Sequence, residues 1–396
     1  MDPKTAARAA FDHAEADLVA LSHRIHAHPE IKWEEEQACA WLGEALTSYG
    51  FSVEAGICQL PTAFEARAGS GPLHVVICAE YDALPGIGHA CGHNVIAATA
   101  VGAGLALAAV ADDFGLTVRV MGTPAEEAGG GKILLLQRGA FAGAHMAMMT
   151  HPGPLDVVEW PIIAAQQFLI RYTGKESHAS AYPELGINAA DALTISGIAI
   201  GLLRQHLHAG DRVHGIVTHG GEAPNIVPAH TEAEYIIRGT TVAEFEVMRE
   251  RVMRCFEAGA LATGATLDVL PHHDLYTEMH HDPDIAAAYR RNAESLGRTF
   301  GPLDPRAAAS TDTGNVSLAI PSIHPGISID SLPAVNHQPE FAAHCATPAA
   351  DHALRDGAVA MAWTAIDCAT DEAVRTRLLT TAGEGAGTPS ADASSR

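Results

Sequence analysis

The sequence predicts an α/β protein with a mixed, mainly parallel sheet, helices on both faces of that sheet, and a second α+β domain inserted into the first. Up to about residue 150, short apolar runs rich in β-branched residues alternate with helical segments, as expected for a parallel sheet. Between Ala164 and Pro271 the order changes to β-α-β-β-α-β. With 396 residues, 47% of them hydrophobic and 18% charged, the chain can bury the cores that two such domains need.

The first part of the chain alternates helical and strand patterns. In residues 3–50, Leu18, Leu21 and Ile25 recur at helical spacing and predict one or two helices. The segments that follow are predicted, in order, as strands Thr62–Ala68 and Leu73–Ala79, helix Val95–Val110, strand Leu116–Met121, helix Lys132–Arg138 and strand His145–Thr150. The apolar run Val95–Val110 is shorter than the ~20 residues that a membrane span needs, so we expect a buried helix there.

The second domain is expected at residues 164–274, between two parts of the first domain at residues 1–163 and 275–380. Its predicted strands are Gln166–Tyr172, Arg212–His219, Thr231–Arg238 and Ala265–Leu270, and its predicted helices are Ile187–His206 and Val242–Ala262. This order is the split, ferredoxin-like arrangement. The first domain then resumes with helix Ile285–Leu296, strand Ile327–Ile329 and helix Ala349–Cys368. Residues 381–396 are rich in Gly, Ser, Ala and Pro, which predicts a disordered tail.

The charge and the cysteine content exclude some classes of function. A formal net charge of −23 repels phosphate backbones and anionic lipid, so we expect neither nucleic-acid binding nor membrane binding. Seven widely scattered cysteines, an odd number, argue against a disulfide framework and for a reducing compartment. The N-terminal segment has no apolar signal core. A cytoplasmic, soluble protein is the expectation.

The loop Gly88-His89-Ala90-Cys91-Gly92-His93-Asn94 is the stretch around which the other candidate residues are arranged. It places the thiol of Cys91 and the imidazole of His93 two residues apart, at the start of the predicted buried helix. Ligand sites of α/β sheets lie in such loops, beyond the carboxyl ends of strands. A Cys-x-His pair alone is weak support for a metal site, and the other polar residues at strand ends strengthen it.

Two adjacent carboxylates, Glu126 and Glu127, follow the predicted strand Leu116–Met121. Unless a positive charge is nearby, such a pair pays for repulsion and desolvation. A metal ion would let one carboxylate act as a ligand while its neighbour accepts a proton from water. A solvated loop or the N-terminus of a helix would explain the pair equally well. The following Gly129-Gly130-Gly131-Lys132 lacks the full spacing and the hydroxyl of a phosphate-binding loop, so a nucleotide site is disfavoured.

Two further histidines, His151 and His337, also follow apolar runs. The candidate metal ligands are therefore Cys91, His93, Glu127, His151 and His337. Five donors exceed what one tetrahedral ion takes, and they fit two ions, about 3.5–4 Å apart, that share a ligand. Taken singly, each histidine also has an ordinary structural explanation.

Five segments in order carry a resemblance to the M20 metallopeptidase family and, within it, to the amidohydrolase branch. They are Arg24-Ile25-His26-Ala27-His28-Pro29-Glu30, Tyr81-Asp82-Ala83-Leu84-Pro85, His89-Ala90-Cys91-Gly92-His93, Pro124-Ala125-Glu126-Glu127 and Glu176-Ser177-His178-Ala179. Asn94 stands where much of the branch has Asp. With Ser310–Ser317, it makes the chain most similar to the M20-domain-containing protein 2 and aminobenzoyl-glutamate hydrolase subgroup.

The resemblance implies roles for the candidate residues. It implies two divalent ions, Zn²⁺ or Mn²⁺, held by the five ligands named above, with Glu126 as general base and Asp82 orienting a ligand. It implies that the inserted domain is a lid that also forms a homodimer, and that His178 polarises the scissile carbonyl in its own or the partner subunit. Asn225 and Arg238 resemble the pair that binds the free carboxylate of the substrate, although an Asn in a turn and an Arg at a strand end would explain them too.

The function that we expect is hydrolysis, by metal-activated water, of the amide bond between an acyl, aminoacyl or aminobenzoyl group and an amino acid. The substrate would be a small N-acyl amino acid or dipeptide-like molecule. One alternative is a hydrolytic deaminase of an aromatic amine that uses the same two-metal site, with Asn94 and the lid as the places where such a change would lie. Another is a metal-bound protein that binds a small molecule without catalysis.

Overall fold

The computed structural model describes residues 2–127, 129–302 and 308–384, with side chains to 381. These residues divide into two compact units. Of the described residues, those in Met1–Pro161, Met279–Pro305 and Asn315–Arg396 form the first unit, and those in Ile162–Glu278 and Arg306–Gly314 form the second.

The first unit is built on a six-stranded sheet with the strand order β1-β2-β4-β3-β5-β11. Its strands, with the short pair β6 and β12, are β1 (Ser52–Ala55), β2 (Phe64–Ala68), β3 (Leu73–Ala79), β4 (Leu116–Gly122), β5 (Met146–Met148), β6 (His151–Gly153), β11 (Ser322–Ile323) and β12 (Gly326–Ser328). Strands β4, β3, β5 and β11 run parallel, β1 and β2 are antiparallel at one edge, and β12 pairs in parallel with β6.

Helices cover both faces of this sheet. Alternate residues of β3 belong to different cores, with Val75 and Ile77 in one and Val76 and Cys78 in the other, as the two-residue period of a strand requires. The helices are α1 (Pro3–Ala27), α2 (Glu36–Ser48), α3 (His93–Ala108), α4 (Ala111–Phe114), α5 (Gly131–Gln137), α8 (Pro283–Ser295), α9 (Thr313–Ala319, across the boundary between units), α10 (Pro339–His344), α11 (Pro348–Thr370) and α12 (Glu372–Glu384). Helices α1, α3 and α11 pack together on the first face, and α5 and α9 supply side chains to the second core.

The second unit has its own four-stranded antiparallel sheet in the order β10-β7-β9-β8, with two helices. Its elements are β7 (Ala164–Thr173), α6 (Ala189–Leu203), β8 (Arg212–His219), β9 (His230–Gly239), α7 (Val242–Thr263) and β10 (Thr266–Pro271). A separate core joins the inner faces of α6 and α7 to the sheet, with Phe245, Phe256 and Tyr172 buried in it. The β-α-β-β-α-β order matches the pattern found in the sequence.

The structure differs from the sequence-based expectation in two places. The strand expected over His145–Thr150 is interrupted: β5 ends at Met148, and His151 begins β6, which pairs with β12 instead of continuing in the six-stranded sheet. Helix α12 extends to Glu384, so residues 381–384 of the expected disordered tail are helical, and residues 385–396 lie outside the described part of the chain.

Helix α3 lies close to the sheet because it carries glycine at the contact. A Cβ added at Gly104 would lie 2.4 Å from Cγ2 of Val120 on β4, a distance that forces side chains or backbone to move. We expect Gly104→Ala to lower the free energy of unfolding by about 1–3 kcal/mol, because overpacking outweighs the gain in helix propensity.

Gly43→Ala on α2 is the matched control, since its Cβ would meet Val53 Cγ1 at an ordinary 3.6 Å. It should raise the free energy of unfolding by up to about 1 kcal/mol. Urea titrations of both variants test the pair, and equal stability of Gly104→Ala and the wild type would contradict the close approach of α3.

Candidate active site

The candidate site lies where several segments of the first unit end or begin at the sheet. Glu80 and Asp82 follow β3, the turn Pro124–Glu127 follows β4, and His93 is the first residue of α3. Because β3 and β4 are parallel neighbours, their carboxyl ends meet at the same edge. This topology brings together side chains that are far apart in the sequence.

Asp82 connects two of the candidate ligand segments. Its Oδ1 lies 3.0 Å from Nδ1 of His93, and its Oδ2 accepts a hydrogen bond from the backbone N–H of Glu127 at 2.9 Å. Burial alone would raise the pKa of Asp82, but the charge and hydrogen bond of His93 and the Glu127 amide bring it below its ordinary value. An ionised Asp82 holds the Nδ1–H of His93, so that Nε2 faces the site.

Cys91 and His151 are in contact, with 3.4 Å between Cys91 Sγ and His151 Nε2. His151 Nδ1 lies 2.8 Å from the carbonyl oxygen of Pro152 and donates to it. Burial lowers the pKa of His151 to about 4, so the imidazole is neutral at pH 7 and its Nε2 lone pair is directed at the site. Cys91, His93 and His151 each place a donor atom within 4.8 Å of the others.

His337 approaches the same place from the segment before α10. Its Nε2 lies 3.4 Å from Oε1 of Glu127, and its backbone N–H donates to the carbonyl oxygen of Ala90 at 2.8 Å. His337 has a φ of +69°, a left-handed conformation that costs a non-glycine residue energy and is stabilised here by that hydrogen bond. Cys91, Glu127 and His337 form a second group of donors within 4.8 Å.

Glu126 and Glu80 belong to a third such group, together with His93. The Nε2 atom of His93 lies 3.9 Å from Oε2 of Glu126 and 3.4 Å from Oε2 of Glu80. The other oxygen of Glu80 pairs with the ammonium of Lys132, and both side chains are fully buried. Glu80 therefore faces the site as well, and its charge is balanced from behind.

Gly92 allows the chain to enter α3 at this point. Its φ is +79°, and an added Cβ would lie 2.4 Å from Cγ of Pro152 and 3.2 Å from Sγ of Cys345. Only glycine fits both the left-handed conformation and the close approach of the Pro152 segment. The spacing between Cys91 and His93 thus depends on the residue between them.

The donor set fits divalent metal ions. Among the described residues, Oε2 of Glu80, Nε2 of His93 and Oε1 of Glu127 are buried without a hydrogen-bond partner, which is costly unless a cation binds them. Burial, and then the charge of Glu127, raise the pKa of Cys91 well above its ordinary value. The protein alone therefore keeps Cys91 as a thiol, and only a bound cation would make it a thiolate ligand.

Three of the residues named from the sequence lie in the second unit. The exposed residues His178 and Asn225 are neighbours there, since the segment of His178 forms a bridge to Ile226 and the Asn225 carbonyl accepts from the Ala179 N–H. Arg238, at the end of β9, donates to Ser310 Oγ at 2.9 Å and lies 3.3 Å from His214 Nε2. Burial lowers the pKa of Arg238 from its ordinary value.

Residues 76–351 match the model of a known family, described as peptidase family M20/M25/M40. The chain belongs to this family. The match spans most of the chain and includes each of the five candidate ligands, so the M20 resemblance predicted from the five sequence segments is confirmed.

Characterised relatives support the same assignment. The Xaa-Arg dipeptidase of Mus musculus is 37% identical over 377 residues, which cover 90% of this chain and 86% of that protein. One of the two p-aminobenzoyl-glutamate hydrolase polypeptides of Escherichia coli strain K12 is 32% identical over 269 residues, 63% of this chain and 56% of that polypeptide. The prediction of an M20-type hydrolase of amide C–N bonds is confirmed.

Solved structures share the fold. A dinuclear metal binding peptidase of the M20 family from Bacillus subtilis superposes with a TM-score of 0.68 at 21% identity, covering 90% of this chain and 99% of that one. An aminobenzoyl-glutamate utilization protein from Klebsiella pneumoniae gives a TM-score of 0.71 at 16% identity, covering 90% and 97%. The predicted α/β class with its mainly parallel sheet is confirmed. No helix in the described part of this M20 chain has the length and apolar character of a membrane span.

Asn94, the departure from the M20 amidohydrolase pattern, does not face the cluster of donors through its amide nitrogen. Its Nδ2 donates to Oγ of Ser22 and to the carbonyl oxygen of Cys345, both at 2.9 Å. Asn94 therefore ties α3 to α1 and to the residue after α10, and its position gives no support to a changed reaction.

Some residues around this M20 site were not found from the sequence. Glu80 was recognised only as a carboxylate at the end of a strand. His324, also buried, packs its ring 5.5 Å from that of His151 and bonds the Met149 carbonyl, yet nothing in the sequence distinguishes it from the other histidines. Lys132 was considered only as part of a possible phosphate loop, and the structure buries it against Glu80. A buried lysine after a glycine run was the available signal.

Proposed function

We propose that this M20 protein hydrolyses the amide bond of a dipeptide-like or N-acyl amino acid substrate with water activated at two divalent ions. The observation that carries the proposal is the convergence of three overlapping groups of donor atoms, each within 4.8 Å, on one edge of the sheet. Cys91, His93, Glu127, His151 and His337 would hold the ions. When bound, Zn²⁺ or Mn²⁺ would polarise the scissile carbonyl and lower the pKa of a water molecule.

The residues of the chain would divide the remaining work. Asp82 fixes the His93 ring and the Glu127 backbone at the same time, so the ligands are held before any ion binds. Glu126, adjacent to a ligand but placed against the opposite partner His93, would accept the proton of the attacking water and deliver it to the leaving nitrogen. Neutral His151 would serve as a ligand without losing a proton first.

Glu126→Gln tests the assignment of the base. The amide cannot accept a proton but keeps the shape, so we expect unchanged metal content and a fall in kcat of at least about 100-fold. Metal content is measured by elemental analysis of the purified protein, and turnover by product release. The control is Glu44→Gln at an exposed position of α2, which should match the wild type. Chelation should abolish wild-type activity and added Zn²⁺ or Mn²⁺ should restore it. Substantial turnover by metal-loaded Glu126→Gln would show that the base is another residue.

The substrate class rests on relatives and on the second unit. The similar proteins are named for Xaa-Arg dipeptides and for p-aminobenzoyl-glutamate, which are amides of amino acids with a free carboxylate. Arg238 would bind that carboxylate, because a guanidinium offers two parallel donors to its two oxygens. Asn225 would contribute a further donor, and His178 would polarise the carbonyl oxygen of the scissile bond.

Arg238→Lys tests carboxylate binding. Because Lys cannot make the paired hydrogen bonds, we expect KM for a dipeptide to rise at least about tenfold with a smaller change in kcat. The same dipeptide with a C-terminal carboxamide is the control, and the variant should lose nothing further on it relative to the wild type. Equal losses on both substrates would mean that Arg238 does not bind the carboxylate. Release of ammonia without a carboxylic acid product would favour the deaminase instead.

A homodimer formed through the second unit is also proposed. Strand β8 is an outer strand of its sheet, with Ile216 and Val217 65% and 57% exposed, and α6 exposes Ile198 and Leu202. An outer strand with apolar side chains is a site for pairing with a second copy.

The double variant Ile216→Lys/Val217→Lys tests this dimer. We expect the wild type to have twice the 41.4 kDa chain mass in light scattering after size exclusion, and the variant to have the mass of one chain. Leu261→Lys, at an 88% exposed position of α7, is the control and should leave the mass unchanged. A monomeric wild type would refute the dimer.

A further inference from the structure

The turn that carries the two glutamates has a strained backbone. Ala125, immediately before Glu126, has a φ of +58°, in the left-handed region that favours glycine. For a residue with a Cβ this conformation costs about 1–3 kcal/mol and persists only where surrounding contacts fix it. Ala125 is fully buried, so these contacts come from the protein interior.

One of these contacts is the carboxylate of Glu35, which lies just before α2. Its Oε1 accepts a hydrogen bond from the Ala125 N–H at 2.8 Å, and its Oε2 accepts one from the Thr62 hydroxyl at 2.9 Å. The side chain of Glu35 is fully buried. It therefore connects the start of α2, the start of β2 and the turn after β4 at one point.

A buried carboxylate in this position is expensive. Burial, and then the charge of Asp82, raise the pKa of Glu35 to about 7. None of the ion pairs found among the described residues gives Glu35 a basic partner. An apolar side chain would fill the same space at lower cost, which indicates that the acceptor oxygens are what the position requires.

Glu35 does not serve as a cap of its own helix. It occupies the N-cap position of α2, but its side chain makes no capping hydrogen bond. The carboxylate of Glu30 does so instead, accepting from the backbone N–H groups of Gln37 and Ala38. The oxygens of Glu35 are thus directed away from α2 and toward the turn.

We propose that Glu35 is a positioning residue for the active site: by holding the Ala125 N–H it fixes the left-handed turn and so sets the directions of Glu126 and Glu127. The proposal rests on the roles given to these two glutamates above. Their carboxylates must diverge, since Glu126 lies beside His93 and Glu127 beside His337.

The turn is then held from both ends. Glu35 binds the N–H of Ala125, and Asp82 binds the N–H of Glu127 at 2.9 Å. Releasing one end lets the intervening Glu126 move, and a displacement of about 1 Å at a reacting group costs on the order of 100-fold in rate.

The test compares Glu35→Ala, Glu35→Leu and Glu35→Gln with the wild type. Leu fills the space without an acceptor, whereas Gln keeps one carbonyl oxygen for the Ala125 N–H. We expect the Ala and Leu variants to lower kcat at least about tenfold with KM changed less than about threefold, and Gln to restore kcat to within about threefold. Glu34→Ala, the exposed neighbour, should match the wild type.

Hydrogen exchange provides a readout that does not depend on catalysis. In the wild type, a peptide covering residues 124–127 should exchange slowly. In the Ala and Leu variants it should exchange at least about tenfold faster, while a peptide from the core of α11 stays protected. Faster exchange of both peptides would mean general destabilisation and would overturn the proposal.

The remaining outcomes are also decisive. Unchanged kcat and exchange in the Leu variant, or loss of activity in the Gln variant equal to that in the Ala variant, would overturn the positioning role. Rapid exchange of the 124–127 peptide in the wild type would overturn it without any variant, even if neither apolar variant folds. A wild type that hydrolyses no amide would refute the proposed function, and the exchange comparison would still decide whether Glu35 holds the turn.

Discussion

The site depends above all on the two oxygens of Asp82. One orients His93 at the start of α3, and the other holds the backbone of Glu127 after β4. These are the only links among the contacts described above that join the two ligand-bearing segments through a single side chain. The carboxylate stays ionised in a buried setting because both partners donate to it, so its cost is offset by the order that it imposes.

The fold supplies the remaining precision through its sheet. Parallel strands β3 and β4 end side by side, so Asp82 and the turn at Ala125 are neighbours before any side chain interacts. Behind them, Lys132 balances Glu80, and Glu35 braces the turn. Acidic side chains are thus concentrated where cations would neutralise them, and each is held by a donor that costs the site no ligand.

Long elements and contiguous motifs were predictable from the sequence, and short or isolated features were not. Strands β3 and β8 were predicted with the bounds they have, because apolar runs of seven or eight residues carry a clear period. Strand β6 has only three residues and no period, so His151 was placed at a strand end instead of a strand start. Glu35 lies in the acidic run Glu34-Glu35-Glu36, which resembles a solvated surface. Only the fold decides which of these three glutamates is buried, because burial depends on contacts with Thr62 and Ala125, distant in sequence.

The order in which the chain supplies its strands has a consequence for synthesis on the ribosome. Strands β11 and β12 emerge after the whole second unit, yet they pair with β5 and β6, which emerge before it. The nascent first unit must therefore wait, with the edge of β5 unpaired and His337 not yet made, while the second unit can already complete its own sheet. Such long-range pairing slows folding and exposes an open edge to other chains. Chaperone demand during translation should accordingly be highest in the interval between completion of β10 and release of α11.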